Sequence, residues 1–399
     1  MKSLSRFIYV ALIGLGAIVT RPDLASAQAD ASPRATTLMT AGAPEAALPL
    51  LERLVSQDPK NKDYRFRLAL ALFRLEKYMR ANWHLEQVRG ADLTRQEARL
   101  VEQLLGEIAA RRVWSGSMTI ALRPETNAGR RTSNDTINIG GLNFQLNPSS
   151  KAQPGVSLVT TTGLTYSPRI TGRLKASFGM FTNLRFNEDR DLRDYQINLR
   201  QGVNYTPHTR LRFAGGLQQG YRWVGDRGYS SSLGIWAEHS RLVGQRARLD
   251  FGLDLSETTY RVGLPDSQRG LITAGYSHAV TGNATVGISG FFEKTQGARP
   301  DLVGRRAGIS ISGLYAWEGG LMTSVRIGHR IDQRDGPETL FGITREDRNS
   351  SVEMNIYHRD FRIVSFAPTL AVGFEQNRSN VSLARYNNSY VSIGLTHDF

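Results

Sequence analysis

Residues 247–256 read Ala-Arg-Leu-Asp-Phe-Gly-Leu-Asp-Leu-Ser. Ala247, Leu249, Phe251, Leu253 and Leu255 fall on one side of a period of two, and Arg248, Asp250, Gly252, Asp254 and Ser256 on the other. That is a strand with one dry face and one wet face. The same alternation sets Ile197, Leu199, Val203 and Tyr205 against Gln196, Asn198, Arg200, Gly202 and Asn204, and it recurs in Val391, Ile393 and Leu395 near the end of the chain. Working outward, fourteen segments of this kind can be placed, near 113–123, 156–167, 172–185, 192–206, 209–222, 227–240, 245–260, 268–279, 282–295, 303–315, 320–332, 346–358, 365–377 and 386–399. A soluble sandwich would hide the apolar faces. Here the polar faces are so charged and glycine-rich, and the mean hydropathy of −0.33 so low, that the inverted arrangement fits better, with the apolar band toward lipid and the polar face toward a lumen.

The connections supply an independent test, because an outer-membrane barrel has short turns on one side and longer loops on the other. Alternate connections are short: Pro168–Thr171, the Pro207 turn, Arg241–Gly244, Val280–Gly282, Trp317–Gly319 and Arg359–Val364. The other set, which includes Pro124–Gly155, Gln296–Leu302 and Gln333–Arg345, is longer and rich in charge, Pro, Asn or Gly. An even strand number and this parity give a fourteen-stranded antiparallel transmembrane β-barrel over 113–399.

The preceding residues have another period. Ala46, Ala47, Leu50, Leu51 and Leu54 recur with helical spacing, as do Leu68, Ala69, Leu72 and Leu75, then Ala81, Leu85 and Val88, then Leu100, Val101, Leu104, Leu105 and Ile108. An offset of 34 aligns Ala47 with Ala81, Leu51 with Leu85 and Leu54 with Val88, and 34 is the tetratricopeptide period. Residues 41–112 are therefore expected to form a short tetratricopeptide-like helical module in the periplasm, and 28–40 a linker. Lys2 and Arg6, the apolar run Phe7–Val19 and Ala25-Ser26-Ala27 have the form of a signal peptide over 1–27.

Composition narrows the function. The 399 residues hold no Cys, which excludes a disulfide framework, Cys-ligated zinc, a thiol nucleophile and lipidation of a cysteine in this chain. The formal charge of +14 is almost wholly Arg, with seven Lys, and is scattered among Gly, Ser, Asn and aromatics rather than clustered as in a nucleic-acid binder. The seven His show no metal-ligand spacing, and His358 with Ser365, or His239 with Ser240, lacks the setting of a nucleophile. We expect no enzyme, no cofactor, no metal and no nucleic-acid partner.

The layout of signal, small helical module and barrel, with Trp114 to Asn127 ending Arg-Pro-Glu-Thr-Asn, Arg345-Glu-Asp-Arg-Asn, Phe366-Ala-Pro368, Asn377-Arg-Ser-Asn380, Tyr386 and Phe399, resembles the surface lipoprotein assembly modifier family. That resemblance implies an outer-membrane translocator of Gram-negative bacteria, which moves lipoproteins or secreted proteins from periplasm to cell surface. Its expected partners are such a client, outer-membrane lipid and, during insertion, the barrel assembly machinery. On this reading Val391, Ile393, Leu395 and Phe399 form the assembly signal. Tyr64, Leu68, Leu72 and Trp83 are expected to capture the client, while Gly116, Asn387, Asn388 and Gly394 are expected to weaken a seam between first and last strands. A barrel of this size has a backbone diameter of about 28 Å and about 10 Å of free lumen. A folded domain of radius of gyration near 13 Å cannot pass it whole, so the client moves unfolded, through the lumen or along the seam. The alternatives are an exopolysaccharide exporter and an anion-selective porin, with an outer-membrane enzyme last.

Overall fold

A computed structural model describes residues 24–139, 141–358, 361, 363 and 366–398. Residues 1–23 of the expected signal peptide, and Phe399, lie outside them. Five helices come first: α1 (Leu24–Thr40), α2 (Pro44–Gln57), α3 (Lys62–Arg74), α4 (Tyr78–Arg89) and α5 (Arg95–Arg111). Consecutive helices pack on one another. The residues matched by the offset of 34 all lie in the shared core: Ala47, Leu51 and Leu54 from α2, and Ala81, Leu85 and Val88 from α4. Pro44 opens α2 at a position where its missing N–H costs nothing. The Asn61 side chain caps α3 by accepting from the backbone N–H groups of Asp63 and Tyr64. At α5 the Thr94 hydroxyl accepts from Glu97 N (3.3 Å) while Thr94 N donates to the Glu97 carboxylate (2.7 Å), a reciprocal cap.

Residues 28–40, expected as a linker, are helical instead. Pro33 and the threonines hid the helix, since these residues disfavour it. Two things rescue it. The hydroxyls of Thr36, Thr37 and Thr40 donate back to carbonyls of the preceding turn, and Ala31, Ala35 and Met39, spaced by four, enter the module's core. Arg67 and Arg74 of α3 then fasten α1 by donating to Thr36 Oγ1 (2.6 Å) and Met39 O (2.7 Å).

From Trp114 the chain forms a closed antiparallel barrel of fourteen strands. In chain order these are β1 (Trp114–Glu125), β4 (Gly155–Tyr166), β5 (Leu174–Asn187), β6 (Asp194–His208), β7 (Leu211–Val224), β8 (Arg227–Val243), β9 (Ala247–Tyr260), β10 (Ser267–Thr281), β11 (Ala284–Gly297), β12 (Gly304–Ala316), β13 (Leu321–Pro337), β14 (Thr344–His358), β15 (Ala367–Ser379) and β16 (Tyr386–Asp398). The hairpin β2 (Thr136–Ile139) and β3 (Leu142–Gln145) sits in the long connection from β1 to β4. Each strand pairs with its sequence neighbours, and β1 pairs with β16 to close the wall.

The faces are inverted relative to a soluble protein. Phe251, Leu253 and Leu255 are 48%, 41% and 43% exposed on the outside, while Asp254 between them is 6% exposed on the lumen side. Only a solvent of hydrocarbon makes that arrangement stable, with the ladder satisfying every backbone group along the closed wall. Among the described residues no helix is long and apolar enough to cross a membrane. Aromatic side chains gather near strand ends: Trp114 beside Tyr166 and Tyr315 beside Trp317 at one end (ring centroids 4.6 Å apart in each pair), and Tyr221 near Trp223 toward the other.

The helical module abuts the short-turn end. Arg169 donates to Ala110 O (2.8 Å), and Lys175 donates to the carbonyls of Ala109 and Arg112, so cations meet the carbonyl end of α5. Arg246 pairs with Asp92, Gly106 lies against Thr209, Gly90 against Ala279, and α2 reaches the turn at Glu318–Gly320. Five successive short turns therefore touch the helical module, and the sector beside β16 and β1 makes no such contact among the described residues.

Candidate functional site

The lumen-facing side chains divide into two walls. From β6 to β13 they are charged and interlocked. Arg200 bridges Glu238 (2.9 Å) and Asp254 (3.5 Å), Arg269 bridges Asp254 (2.7 Å) and Glu293 (3.3 Å), Arg306 bridges Glu293 (3.4 Å) and Asp332 (2.9 Å), and Arg330 reaches Asp332 (3.1 Å). Alternating signs on neighbouring strands make a belt in which each carboxylate meets guanidinium from two sides. The other wall, formed by β15, β16, β1 and β4, carries small uncharged side chains over its middle and short-turn part: Ala371, Ser392 and Thr396, Thr119 and Ala121, Thr161 and Gly163. Nearer the loop end Arg123 stacks on Tyr390 (4.8 Å), whose ring covers Gly373 and whose hydroxyl donates to Glu353, so the room left by short side chains lies below that pair.

The small-residue wall contains the closing seam. Its register runs from Ser117 opposite Asp398 to Leu122 opposite Ile393 and resumes at Glu125 opposite Tyr390. Pro124, which has no N–H to donate, lies in the gap. Thr119 and Thr396 face each other across the seam, hydroxyl to hydroxyl at 3.0 Å.

Beyond Pro124 the seam is fastened by side chains. Asn388 is fully buried. Its Nδ2 donates to Glu125 Oε1 (3.1 Å) and its Oδ1 accepts from Asn127 N (3.0 Å). Glu125, likewise buried, is ion-paired with Arg185 of β5, which also donates to Ser157 Oγ (3.0 Å) and Ala128 O (2.8 Å). From here residues 126–132 form a strap over the first and last strands. Thr126 N donates to Ser389 O (2.9 Å), Asn127 Nδ2 to Asn387 O (3.2 Å), and Arg130 Nε to Glu375 Oε2 of β15 (2.9 Å). Tyr386 Oη (2.6 Å) and Asn349 Nδ2 (3.0 Å) donate to the other oxygen of Glu375, and Asn349 Nδ2 also donates to Tyr386 Oη (3.3 Å). Arg130 holds a left-handed φ of 50°, which costs a non-glycine residue roughly 1 kcal/mol and is retained here by the Glu375 pair.

The structure places the expected residues as follows. Asn387 and Asn388, expected to weaken the seam, both take part in hydrogen bonds across it. Gly394 lies where a Cβ would come within 2.3 Å of Ile120 O, so the glycine permits a close approach of β16 to β1. Gly116 faces β4, where a Cβ would lie 2.1 Å from Gly163 O, and its glycine serves that contact rather than the seam. Leu68 and Leu72, expected to meet a client, are 0% exposed in the module's core and present no surface. Tyr64 packs on that core, and Trp83 lies against His84 (4.8 Å between rings) and under the Arg65 guanidinium (5.4 Å). Val391, Ile393 and Leu395 lie on the outer face of β16, with Ile393 63% exposed. Glu125, Asn127, Arg130, Arg185 and Glu375 were not singled out as a fastening. The signal available was the polar Arg-Pro-Glu-Thr-Asn run at the end of an otherwise apolar-faced first strand.

Where module and barrel meet, burial pushes the Glu86 carboxyl above the usual carboxylate range, against the opposing pull of Arg89 and Arg248. Among the described residues no group of His, Asp and Glu has the makings of a metal site.

An outer-membrane β-barrel with a polar lumen and an N-terminal helical module is the class these features define. The family described as Surface lipoprotein assembly modifier matches residues 160–399, and the chain belongs to that family. No curated protein sequence matches the chain. Among solved structures it is similar to the outer-membrane channel DcaP of Acinetobacter baumannii, at 8% identity and a TM-score of 0.44 over 72% of this chain and 96% of that one. It is also similar to a FadL homologue of Pseudomonas aeruginosa, at 10% identity and a TM-score of 0.41 over 72% and 90% of the two chains. An anion-selective porin of Comamonas acidovorans gives 10% identity and a TM-score of 0.38 over 72% and 98%. At such low identities and scores these likenesses carry no argument about function. The family and fold are of an assembly or transport type, and the protein is an outer-membrane protein that serves surface lipoprotein assembly.

Proposed function

We propose that the protein moves lipoproteins, or secreted proteins, from the periplasm to the cell surface, with the short-turn end and its helical module in the periplasm. The observation that carries this reading is the divided lumen: a charged belt on β6–β13 and a wall of small side chains along the middle and short-turn part of the β1–β16 seam, fastened at its far end by a polar strap. An unfolded chain needs a continuous, weakly interacting surface to slide on, and small uncharged side chains provide one. A lipidated client needs its acyl chains in hydrocarbon while its polypeptide stays wet, and a seam beside the free part of the lumen meets both needs. The belt weighs against an anion-selective porin, since Arg200, Arg269, Arg306 and Arg330 in the lumen all face carboxylates. No observation favours catalysis, and we read the protein as a non-enzyme. The 34-residue spacing and the buried positions it matches support a tetratricopeptide-like reading of the helices.

The test uses the seam itself. The chain has no Cys, so Thr119→Cys with Thr396→Cys introduces the only thiols, at positions whose side chains already touch. With the disulfide formed, surface display of a co-expressed lipoprotein should stop, and reductant should restore it. Display that continues with the seam locked refutes export through an opened seam.

A further inference from the structure

A crevice of about 490 Å³ lies between α4, α5 and the turns that join β4 to β5, β6 to β7 and β8 to β9. Its barrel wall carries Arg169, Arg173, Lys175, Arg210, Arg212 and Arg248, and its helix wall carries Glu86, Arg89 and Glu102. Some of this charge is cancelled on the spot. Arg89 pairs with Glu86 and with Glu102 (3.7 Å), Arg212 with Glu238 (3.1 Å) and Arg248 with Asp250 (2.9 Å). Four cations have no carboxylate partner among the described residues. Arg169 and Lys175 donate to carbonyls at the end of α5, Arg210 donates to Gly244 O, and the Arg173 side chain has no hydrogen-bond or ion-pair partner among the described residues. A carbonyl oxygen satisfies a donor but leaves its formal charge uncancelled. Positive potential is therefore concentrated between low-dielectric walls at the mouth, where it draws anions inward.

The side of the wall on which the crevice opens selects among anions. Arg212, Ser240 and Arg248 lie on the lumen face of their strands, whereas Phe213 and Phe251, their neighbours in sequence or register, are exposed on the lipid face. An occupant is thus aligned with the lumen and not with the bilayer. The cations also run in sequence from the rim (Arg169, Arg173, Arg210) to the interior (Arg212, then Arg200) and need an extended anion rather than a point charge. We infer that this crevice between the helical module and the barrel mouth is a docking site for an acidic, unfolded polypeptide segment of the client. The inference rests on the translocator reading and names what the mouth recognises: Asp and Glu side chains in extended chain, held at the entrance to the lumen.

The full-length protein in detergent micelles, titrated into a fluorescently labelled ten-residue Glu/Gly peptide, tests it by anisotropy. Binding should weaken steeply with salt, and the same peptide with Gln for Glu should not bind. Arg173→Glu with Arg210→Glu changes two exposed turn residues that pair with no carboxylate; it should weaken binding about tenfold or more, since each reversal replaces an attraction with a repulsion. Arg348→Glu with Arg378→Glu at the opposite end, which makes the same change in charge, should leave binding within about twofold. Retained heat-modifiable migration verifies that the double variant is folded. Equal binding of the Gln peptide, or an unchanged affinity in the double variant, overturns the inference. So does displacement of the peptide by inorganic phosphate or phosphatidylglycerol micelles at concentrations where a second acidic peptide does not displace it, because the crevice is then a phosphate or headgroup site. Failure of the translocator reading is separately visible: a wild-type protein that binds the peptide yet displays no co-expressed lipoprotein retains the crevice and loses the transport, and the reverse pattern loses only the crevice.

Discussion

Replacing Arg185 with Met should unfasten the far end of the seam while leaving the barrel closed elsewhere. The Glu125 side chain is 0% exposed and the Arg185 side chain 16% exposed, so the pair is a buried one with two extra guanidinium bonds to Ser157 and Ala128. Removing one partner of a buried pair costs about 3–5 kcal/mol, because it strands the other charge. Here Asn388 still donates to Glu125, so the lower end applies. A loss of about 3 kcal/mol, confined to the strap and the end of β16, multiplies the locally open population about a hundredfold. Hydrogen exchange followed by mass spectrometry reads this directly. The amides of Thr126, Asn127, Ala128 and Ser389, all bonded across the strap, should exchange about a hundredfold faster. Amides in 247–256, on the far wall, should not change. Changing Glu125→Met as well should return protection to within a few fold of wild type, since exchanging both members of a buried pair for apolar side chains is close to neutral. A double variant as unprotected as the single one, or a single variant with no change, refutes the claim that this ion pair is the fastening.

Leu72→Ala removes a fully buried side chain from the module's core and should cost about 2–5 kcal/mol, seen as loss of the helical melting transition while the heat-modifiable barrel band persists. Deleting 41–112 should abolish lipoprotein display in a barrel that still inserts, measured by surface protease accessibility. Glu97 is held at about 2 by its hydrogen bonds to Lys62 and to the Thr94 backbone and hydroxyl. Its folded-state pKa is depressed, so its contribution to the module is complete above about pH 5 and fades as pH falls toward 2. Glu97→Gln should flatten the acid limb of module stability measured by circular dichroism over that range.

Much of the barrel was legible because a period of two, repeated with turns of alternating length, has few other meanings. Every expected segment overlaps one strand. Its ends were less legible: Leu321–Pro337 runs past the segment expected at 320–332 because Gln333 pairs with Glu346 and, across a register shift, Pro337 with Thr344, while Asp335 is ion-paired with Lys294, all on the loop side where no apolar face marks the strand. The helix α1 was missed since its propensity is poor and its burial is tertiary. The site was the least legible part. Asn388 looked like a weak strand residue in isolation, and only its position opposite the strap makes it a fastening. Leu68 and Leu72 were assigned to a surface although their spacing marks a core face equally well, and sequence alone does not say which face of a helix meets its neighbours.

The chemistry of the fastening follows from what a gate beside a wet lumen requires. A seam closed by apolar contacts alone would stay closed in every aqueous state, since opening would only expose hydrocarbon to water. Ionic and amide contacts behave differently: a buried ion pair contributes little net stability over an apolar substitute, yet fails steeply when one partner is lost or diverted. Glu125–Arg185 and Arg130–Glu375 lie where an unfolded chain sliding along the small-residue wall would arrive. A carboxylate on that chain competes with Glu375 for Arg130, and the left-handed backbone at Arg130 gives the strap strain to release when the pair parts. On the proposed reading the client's own acidic groups would therefore first be gathered at the mouth and then unfasten the far end. A neutral client with the same length and lipid anchor should accordingly be displayed more slowly through the wild-type protein, and at an equal rate through Arg185→Met, where the fastening is already loose. Equal rates through the wild type would mean that the strap is opened by something other than client charge.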